Sequence, residues 1–156
     1  LRTFSKAYGL SGIRVGYGFA HESFISALHK VKLPFEPNLI AQKGAIGALK
    51  DYPHLERTLR NNTKRYYETL KFLDQKGFKP VRSITNFIAF RTGSAEASDY
   101  LFDKLLDHGV IIRPLKANKL SDWVRVSIGL KEEMKHFFTA MEDILPEYDE
   151  KFGRPE

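Results

Sequence analysis

A chain of 156 residues with 42% hydrophobic and 28% charged residues, 12 Phe and 7 Tyr among them, has the composition of a globular protein, which excludes a disordered or collagen-like chain. It has room for one ordinary domain, or for a small domain and a piece of another. The net charge of +6 raises nucleic acid as a ligand, but the basic residues are scattered and often stand beside acids, as in Lys131-Glu132-Glu133 and Lys50-Asp51. With no basic tract and no RNA-binding platform, solvated faces account for the charge and no nucleic-acid partner is expected.

The first residues, Leu1 to Phe4, read as a strand already under way, without an initiator Met, so the chain is expected to be cut from a longer one. A second strand is predicted over Ile13 to Phe19, and the loop from Lys6 to Gly12 between them uses Gly9 and Gly12 for tight turning. From His21 to Lys32 the spacing of Phe24, Ile25, Leu28 and Val31 predicts a helix that Pro34 stops. A second helix follows Asn38 as its cap, with Ala41, Ala45, Ala48 and Leu49 at helical spacing. Pro53 opens a long third helix ending near Lys76 and Gly77. Its apolar positions are Leu55, Leu59, Tyr66, Tyr67, Leu70 and Leu73, and the polar run Arg60 to Arg65 between them marks a passage from one core to another. The domain boundary is therefore expected near residue 62.

Beyond it the pattern is that of a small α/β domain, residues 63–148. A strand from Ser83 to Arg91 precedes a helix from Ser94, as cap, to His108, with Leu101, Leu105 and Leu106 facing inward. Gly109 allows the turn into a strand, Val110 to Arg113, that Pro114 ends. After a polar turn, Lys116 to Asp122, the strand Trp123 to Ile128 alternates Val124, Val126 and Ile128 on one side with Arg125 on the other. The last helix, Lys131 to Leu145, carries Met134, Phe137, Phe138, Met141, Ile144 and Leu145 as core, and residues 149–156 are expected to be a polar tail.

No run reaches the roughly 18 apolar residues of a membrane span, and no signal peptide opens the chain. A soluble protein with no membrane partner is expected. Cysteine is absent, which removes disulfides and thiolate metal sites and is compatible with a reducing cytoplasm. His21, His29, His54, His108 and His136 have no ligand spacing, so no metal is expected.

Chemistry concentrates between Thr3 and Tyr17. Lys6 follows a strand, hydroxyls stand at Thr3, Ser5 and Ser11, and Arg14 lies across a glycine-bearing turn. A lysine whose amine is kept partly neutral by burial or nearby positive charge forms a Schiff base with an aldehyde. A guanidinium fork and hydroxyls suit a phosphate. A phosphorylated aldehyde would need that combination, although a glycine-bearing turn with a lysine and an arginine is a weak signal when isolated.

The run Ser5-Lys6-Ala7-Tyr8-Gly9-Leu10-Ser11-Gly12-Ile13-Arg14-Val15-Gly16-Tyr17 resembles, nearly residue for residue, the lysine segment of fold-type-I pyridoxal-phosphate aminotransferases. The similarity continues through Pro34-Phe35-Glu36-Pro37-Asn38, Asn86 to Arg91, Gly109 to Arg113 and Val124 to Gly129, and within that family it is strongest to the histidinol-phosphate aminotransferases. The resemblance implies an α/β fold, with residues 1–62 as the end of the cofactor-binding large domain and a small C-terminal α/β domain after it. It implies pyridoxal 5'-phosphate as cofactor, with Lys6 as its covalent anchor and as the base that shuttles a proton between the substrate alpha-carbon and the cofactor C4'. Arg14 would hold the cofactor phosphate with Thr3 and Ser5.

The same resemblance assigns Arg125 and Arg113 to the anionic end of a phosphorylated amino substrate, with Asn86 as a substrate-side residue or as a cap of its own turn. It further implies 2-oxoglutarate and glutamate as the other substrate pair, and a homodimer. Threonine-phosphate decarboxylases and aromatic aminotransferases share much of the pattern, and a non-catalytic dimerisation or ligand-binding module is the alternative from another class. In the family, the residues that stack on the pyridine ring, the aspartate at its nitrogen and the tyrosine beside the lysine precede the lysine segment. None stands in these residues, so activity is expected of a longer chain and not of this segment alone.

Overall fold

The computed structural model describes residues 1–155. The chain divides into two compact units, Leu1–Leu59 and Arg60–Glu156, and the division falls at the start of the polar run in the third helix.

In the first unit, β1 (Arg2–Thr3) pairs antiparallel with β2 (Gly16–Tyr17), Arg2 opposite Tyr17 and Thr3 opposite Gly16. Both strands are shorter than expected, because a 3-10 turn over Ser11–Ile13 and a left-handed Arg14 take the residues before Val15 out of extended geometry. Gly16 is required here: a Cβ on it would lie 2.8 Å from the Arg2 carbonyl oxygen. Helix α1 (Glu22–Val31) is capped by His21, whose Nδ1 accepts from the Ser23 N–H at 3.3 Å. Helix α2 (Leu39–Lys50) is capped by Asn38, whose Oδ1 accepts from the Ala41 N–H at 2.8 Å.

Phe4, Ala41 and Ala45 are the buried apolar residues of this unit among those described. The predicted apolar face of α1 is open instead, with Phe24 59% and Val31 77% exposed. A helix patterned to bury one face and left bare on it is patterned for a surface that these residues do not supply.

Helix α3 (Tyr52–Gln75) begins in the first unit and ends in the second. Asp51 accepts from the His54 N–H at 3.0 Å at its start, and Gly77, at φ +79, closes its end with the Phe78 N–H on the Leu73 carbonyl at 3.0 Å. Within the polar run Arg65 is itself buried, ion-paired to Glu68 at 2.6 Å, whereas Leu59 and Tyr67, expected inside, are exposed.

The second unit has an antiparallel sheet in the order β3-β5-β4, built from β3 (Phe87–Arg91), β4 (Arg113–Leu115) and β5 (Leu120–Ser127), with α4 (Ala95–Asp107) and α5 (Lys131–Phe152). Ile88, Phe90, Val124 and Val126 point from the sheet into one apolar cluster with Leu70 and Leu73 of α3, Leu101 and Leu105 of α4, and Met134, Phe137, Met141 and Ile144 of α5. Strand alternation therefore turns Phe87, Ala89 and Arg125 to the opposite face.

Several expectations are corrected. Ser83 to Asn86 do not join β3; Ile84, Thr85 and Asn86 form bends held by the Ser83 and Thr85 hydroxyls, 2.8 Å apart, with the Thr85 hydroxyl donating to the Phe87 carbonyl at 3.0 Å. Pro114 lies inside β4 and does not end it, since β4 is an edge strand and the missing N–H costs no ladder bond there. Leu106 is exposed, because Leu105 takes the inward position of that turn.

The polar tail is also corrected. Helix α5 runs on through Pro146 to Phe152, Tyr148 is fully buried, Arg154 stacks on Phe78 at 4.9 Å, and Pro155 is buried; Glu156 lies outside the described residues. Burial of Tyr148 and its ring contacts to Phe78 and Phe152, at 5.8 and 5.4 Å, outweighs the one backbone bond that Pro146 removes.

Tyr148 donates to the Thr92 carbonyl at 2.6 Å, and the buried Thr92 and Ser98 hydroxyls lie 2.7 Å apart. Tyr148→Phe leaves that carbonyl buried without its donor and is expected to cost about 1–2 kcal/mol, read as a lower midpoint of urea unfolding at unchanged slope.

Burial also pushes the Tyr148 phenol up to about 12, from an ordinary value of 10.0. Below pH 10 the phenol is protonated in folded and unfolded chains alike and contributes no pH dependence. As pH rises toward about 12 the unfolded chain loses its proton first, so stability falls. Tyr148→Phe is expected to remove that part of the alkaline loss, measured by unfolding between those limits.

Candidate functional site

Two groups of candidate residues form, one in each unit. In the first, the strand β1 carries Thr3 and leads into a turn that presents Lys6, closed by the Gly9 N–H on the Lys6 carbonyl at 2.9 Å with Gly9 at φ +71. Phe4 anchors this turn from below, 3% exposed, with the Tyr8 and Tyr17 rings at 4.9 and 5.7 Å. Tyr8 and Tyr17 therefore serve packing here.

The Thr3 hydroxyl accepts from the Ser5 N–H at 3.0 Å, which leaves its own proton to donate elsewhere. Arg14 sits at φ 56, an unusual conformation for a residue with a long side chain. Its Nη1 donates to the Ser11 carbonyl at 2.6 Å, and its remaining N–H groups have no partner among the described residues. Strain of this kind is an observed outlier from which a functional constraint can be inferred.

Lys6 is exposed, not buried as the Schiff-base reading of the sequence would have it. In other respects the donor set fits a phosphorylated aldehyde. It offers a primary amine, two hydroxyls and a guanidinium, and none of these is neutralised by a carboxylate among the described residues.

In the second unit the register of β4 on β5 places Arg113 directly opposite Arg125, so both side chains leave the same face of the sheet. Like charges directly opposite one another destabilise a sheet, and among the described residues neither arginine has an acidic partner. Arg113 is exposed and Arg125 half-buried. The Arg125 guanidinium lies over the Phe87 ring, 4.8 Å from its centre, and its Nε is shut from solvent without an acceptor. Two guanidiniums on one face, without an acidic partner among the described residues, carry donors of the kind that suit an anion with more than one oxygen.

Asn86 stands at the edge of this group, its carbonyl accepting from the Ile128 N–H at 2.9 Å. Its side chain does not cap the turn before it, a task taken by the Ser83 and Thr85 hydroxyls. Two residues without an expected role from the sequence also belong here. Asn61 donates from its amide to the Gly129 carbonyl at 2.9 Å, tying α3 to the end of β5. Phe87 is the other, and strand alternation carries its signal: once β3 pairs with β5, a residue two before Ala89 shares the face of Arg125.

The model of the family described as aminotransferase class I and II matches residues 1–141. Histidinol-phosphate aminotransferases of Campylobacter hominis and Desulfotalea psychrophila are 40% and 42% identical over 93% and 94% of this chain, which spans 39% and 38% of their length. Among solved structures, the histidinol-phosphate aminotransferase of Sinorhizobium meliloti in complex with pyridoxal-5'-phosphate superposes with a TM-score of 0.84 at 30% identity, over 94% of this chain and 40% of that one. With the lysine turn, the arginine pair and a family match over most of its length, the chain belongs to the aminotransferase class I and II family.

Proposed function

We propose that this chain is the C-terminal part of a pyridoxal-phosphate enzyme that transfers the amino group between histidinol phosphate and 2-oxoglutarate. The observation that carries the substrate assignment is the unneutralised Arg113 and Arg125 pair, held opposite each other by strand register. The reading is supported by relatives that are histidinol-phosphate aminotransferases at about two fifths identity.

In this reading Lys6 anchors the cofactor through its Nζ, and Arg14, Thr3 and Ser5 hold the cofactor phosphate. Pyridoxal phosphate, when bound, supplies the carbonyl that takes up the amino group and a ring that draws electrons from the substrate alpha-carbon. The Lys6 amine would take the proton from that carbon and deliver it to the cofactor carbon that carried the carbonyl. Arg125 and Arg113 bind the substrate phosphate, and the same guanidiniums accept the distal carboxylate of 2-oxoglutarate or glutamate, because both anions present paired oxygens. Asn86 contacts the substrate from the strand end.

The bare apolar face of α1 fits a surface covered by the further length that the relatives have, and by the second subunit of a homodimer. No helix of the described residues is long and apolar enough to cross a membrane, which fits a cytoplasmic enzyme.

Borohydride reduction of the full-length protein with pyridoxal phosphate is expected to leave a stable adduct that peptide mapping places on Lys6; an adduct elsewhere overturns the anchor. Lys6→Ala is expected to abolish the adduct and to lower the rate of amino transfer at least ~10²-fold, the contribution of a positioned proton carrier. Arg125→Ala is expected to lower kcat/KM for histidinol phosphate by about 10- to 100-fold, the loss of charged hydrogen bonds. The exposed Arg113→Ala should lose less. Equal kcat/KM for the Arg125 variant and the parent protein rejects the substrate assignment.

A further inference from the structure

An arginine that is to receive an anion must be held in place without losing its charge. A carboxylate partner would fix the guanidinium but neutralise it and occupy the same in-plane N–H groups that the anion needs. A ring stacked on its face fixes the plane and spends none of those donors. Arg125 is held in the second way, with Phe87 4.8 Å from its guanidinium carbon, no acid among the described residues, and an Nε without an acceptor. We propose that Phe87 is the positioning residue for Arg125, setting the plane in which its guanidinium meets the anionic end of the substrate. The inference rests on the proposed role of Arg125.

The sheet provides the space for this contact. The residue directly opposite Arg125 on β3 is Ala89, and Phe87 is the diagonal neighbour, opposite Ser127. A small residue at 89 lets the long side chain cross it and reach the ring. The ring in turn is held at the start of β3, where neighbouring bonds fix the backbone from both sides. The Asn86 carbonyl accepts from the Ile128 N–H at 2.9 Å, the Ser83 N–H donates to the Tyr66 hydroxyl at 2.6 Å, and the Asn62 amide donates to the Thr85 carbonyl at 3.4 Å. Phe87 also belongs to no buried cluster of the unit; its ring is half-buried on the face away from the core. Its ring meets the arginine on that outer face.

The test uses the full-length holoenzyme and four variants: Phe87→Leu, Phe87→Tyr, Arg125→Ala, and Phe87→Leu combined with Arg125→Ala. Phe87→Leu keeps an apolar side chain but removes the aromatic face. It is expected to raise KM for histidinol phosphate about five- to tenfold, with kcat and the visible spectrum of the bound cofactor nearly unchanged, while Phe87→Tyr restores KM. In the Arg125→Ala background, Phe87→Leu should add nothing further. If Arg125→Ala raises KM and Phe87→Leu does not, or if Phe87→Leu raises it equally with and without Arg125, positioning by Phe87 is overturned while the substrate role of Arg125 stands. If Arg125→Ala itself leaves KM unchanged, the proposed role of Arg125 fails and this inference fails with it. A Phe87→Leu protein that loses its cofactor spectrum, with Phe87→Tyr unable to restore KM, shows a structural role and also overturns the proposal.

Discussion

Antiparallel pairing in the order β3-β5-β4 sets everything that the second unit can do. Because β5 is the central strand, its alternation has to satisfy two neighbours at once: Val124 and Val126 close the core, and Arg125 between them faces the other way. Pairing with β4 adds Arg113 across from it, and pairing with β3 adds the Phe87 ring on the diagonal. A slip of one residue in either pairing would exchange core and outer faces. The burial of Val124 and Ile88, both fully enclosed, is therefore the same fact as the meeting of the two arginines. A like-charged pair costs stability in a sheet, and here it sits on an edge pairing built on a well-packed core.

The rest of the second unit keeps that sheet from shifting. Thr92, Ser98 and Tyr148 form a buried polar group in which each hydroxyl finds a partner, and such groups specify one arrangement because any other leaves a polar atom unpaired. The end of α5 belongs to this group, which is why it stays helical beyond a proline. The asparagines at 61 and 62 connect α3 to the two strand ends nearest the arginines, through Gly129 and Thr85. The polar run that looks like a break between cores is thus partly a set of ties within one of them.

The first unit is built on a different balance. Its lysine turn is well defined by Phe4, two aromatic neighbours and the Gly9 bond, yet few of its residues are buried and its amphipathic helix is bare. The turn is a local structure, set by nearby residues. Burial of Lys6 would be a tertiary property, and among the described residues the side chain is exposed.

Local chemistry was legible in the sequence. Asn38 and Ser94 cap their helices because their side chains reach an N–H three residues on, Gly77 ends α3 because a left-handed residue is needed there, and Val124, Arg125 and Val126 alternate because strands have a period of two. The lysine segment was equally plain, since its residues are contiguous. Where expectation and structure part, a distant partner decides. Pro114 stays in a strand because that strand lies at the sheet edge, α5 passes Pro146 because Phe78 and Thr92 receive Tyr148, and Ser83 to Asn86 leave the strand because Tyr66 and Asn62 hold them. The opposition of Arg113 and Arg125 and the stack of Arg125 on Phe87 are of this second kind. The sequence alone determined which residues carry charge, hydroxyls and rings; strand register, which depends on packing between residues far apart in the chain, decided which of them meet.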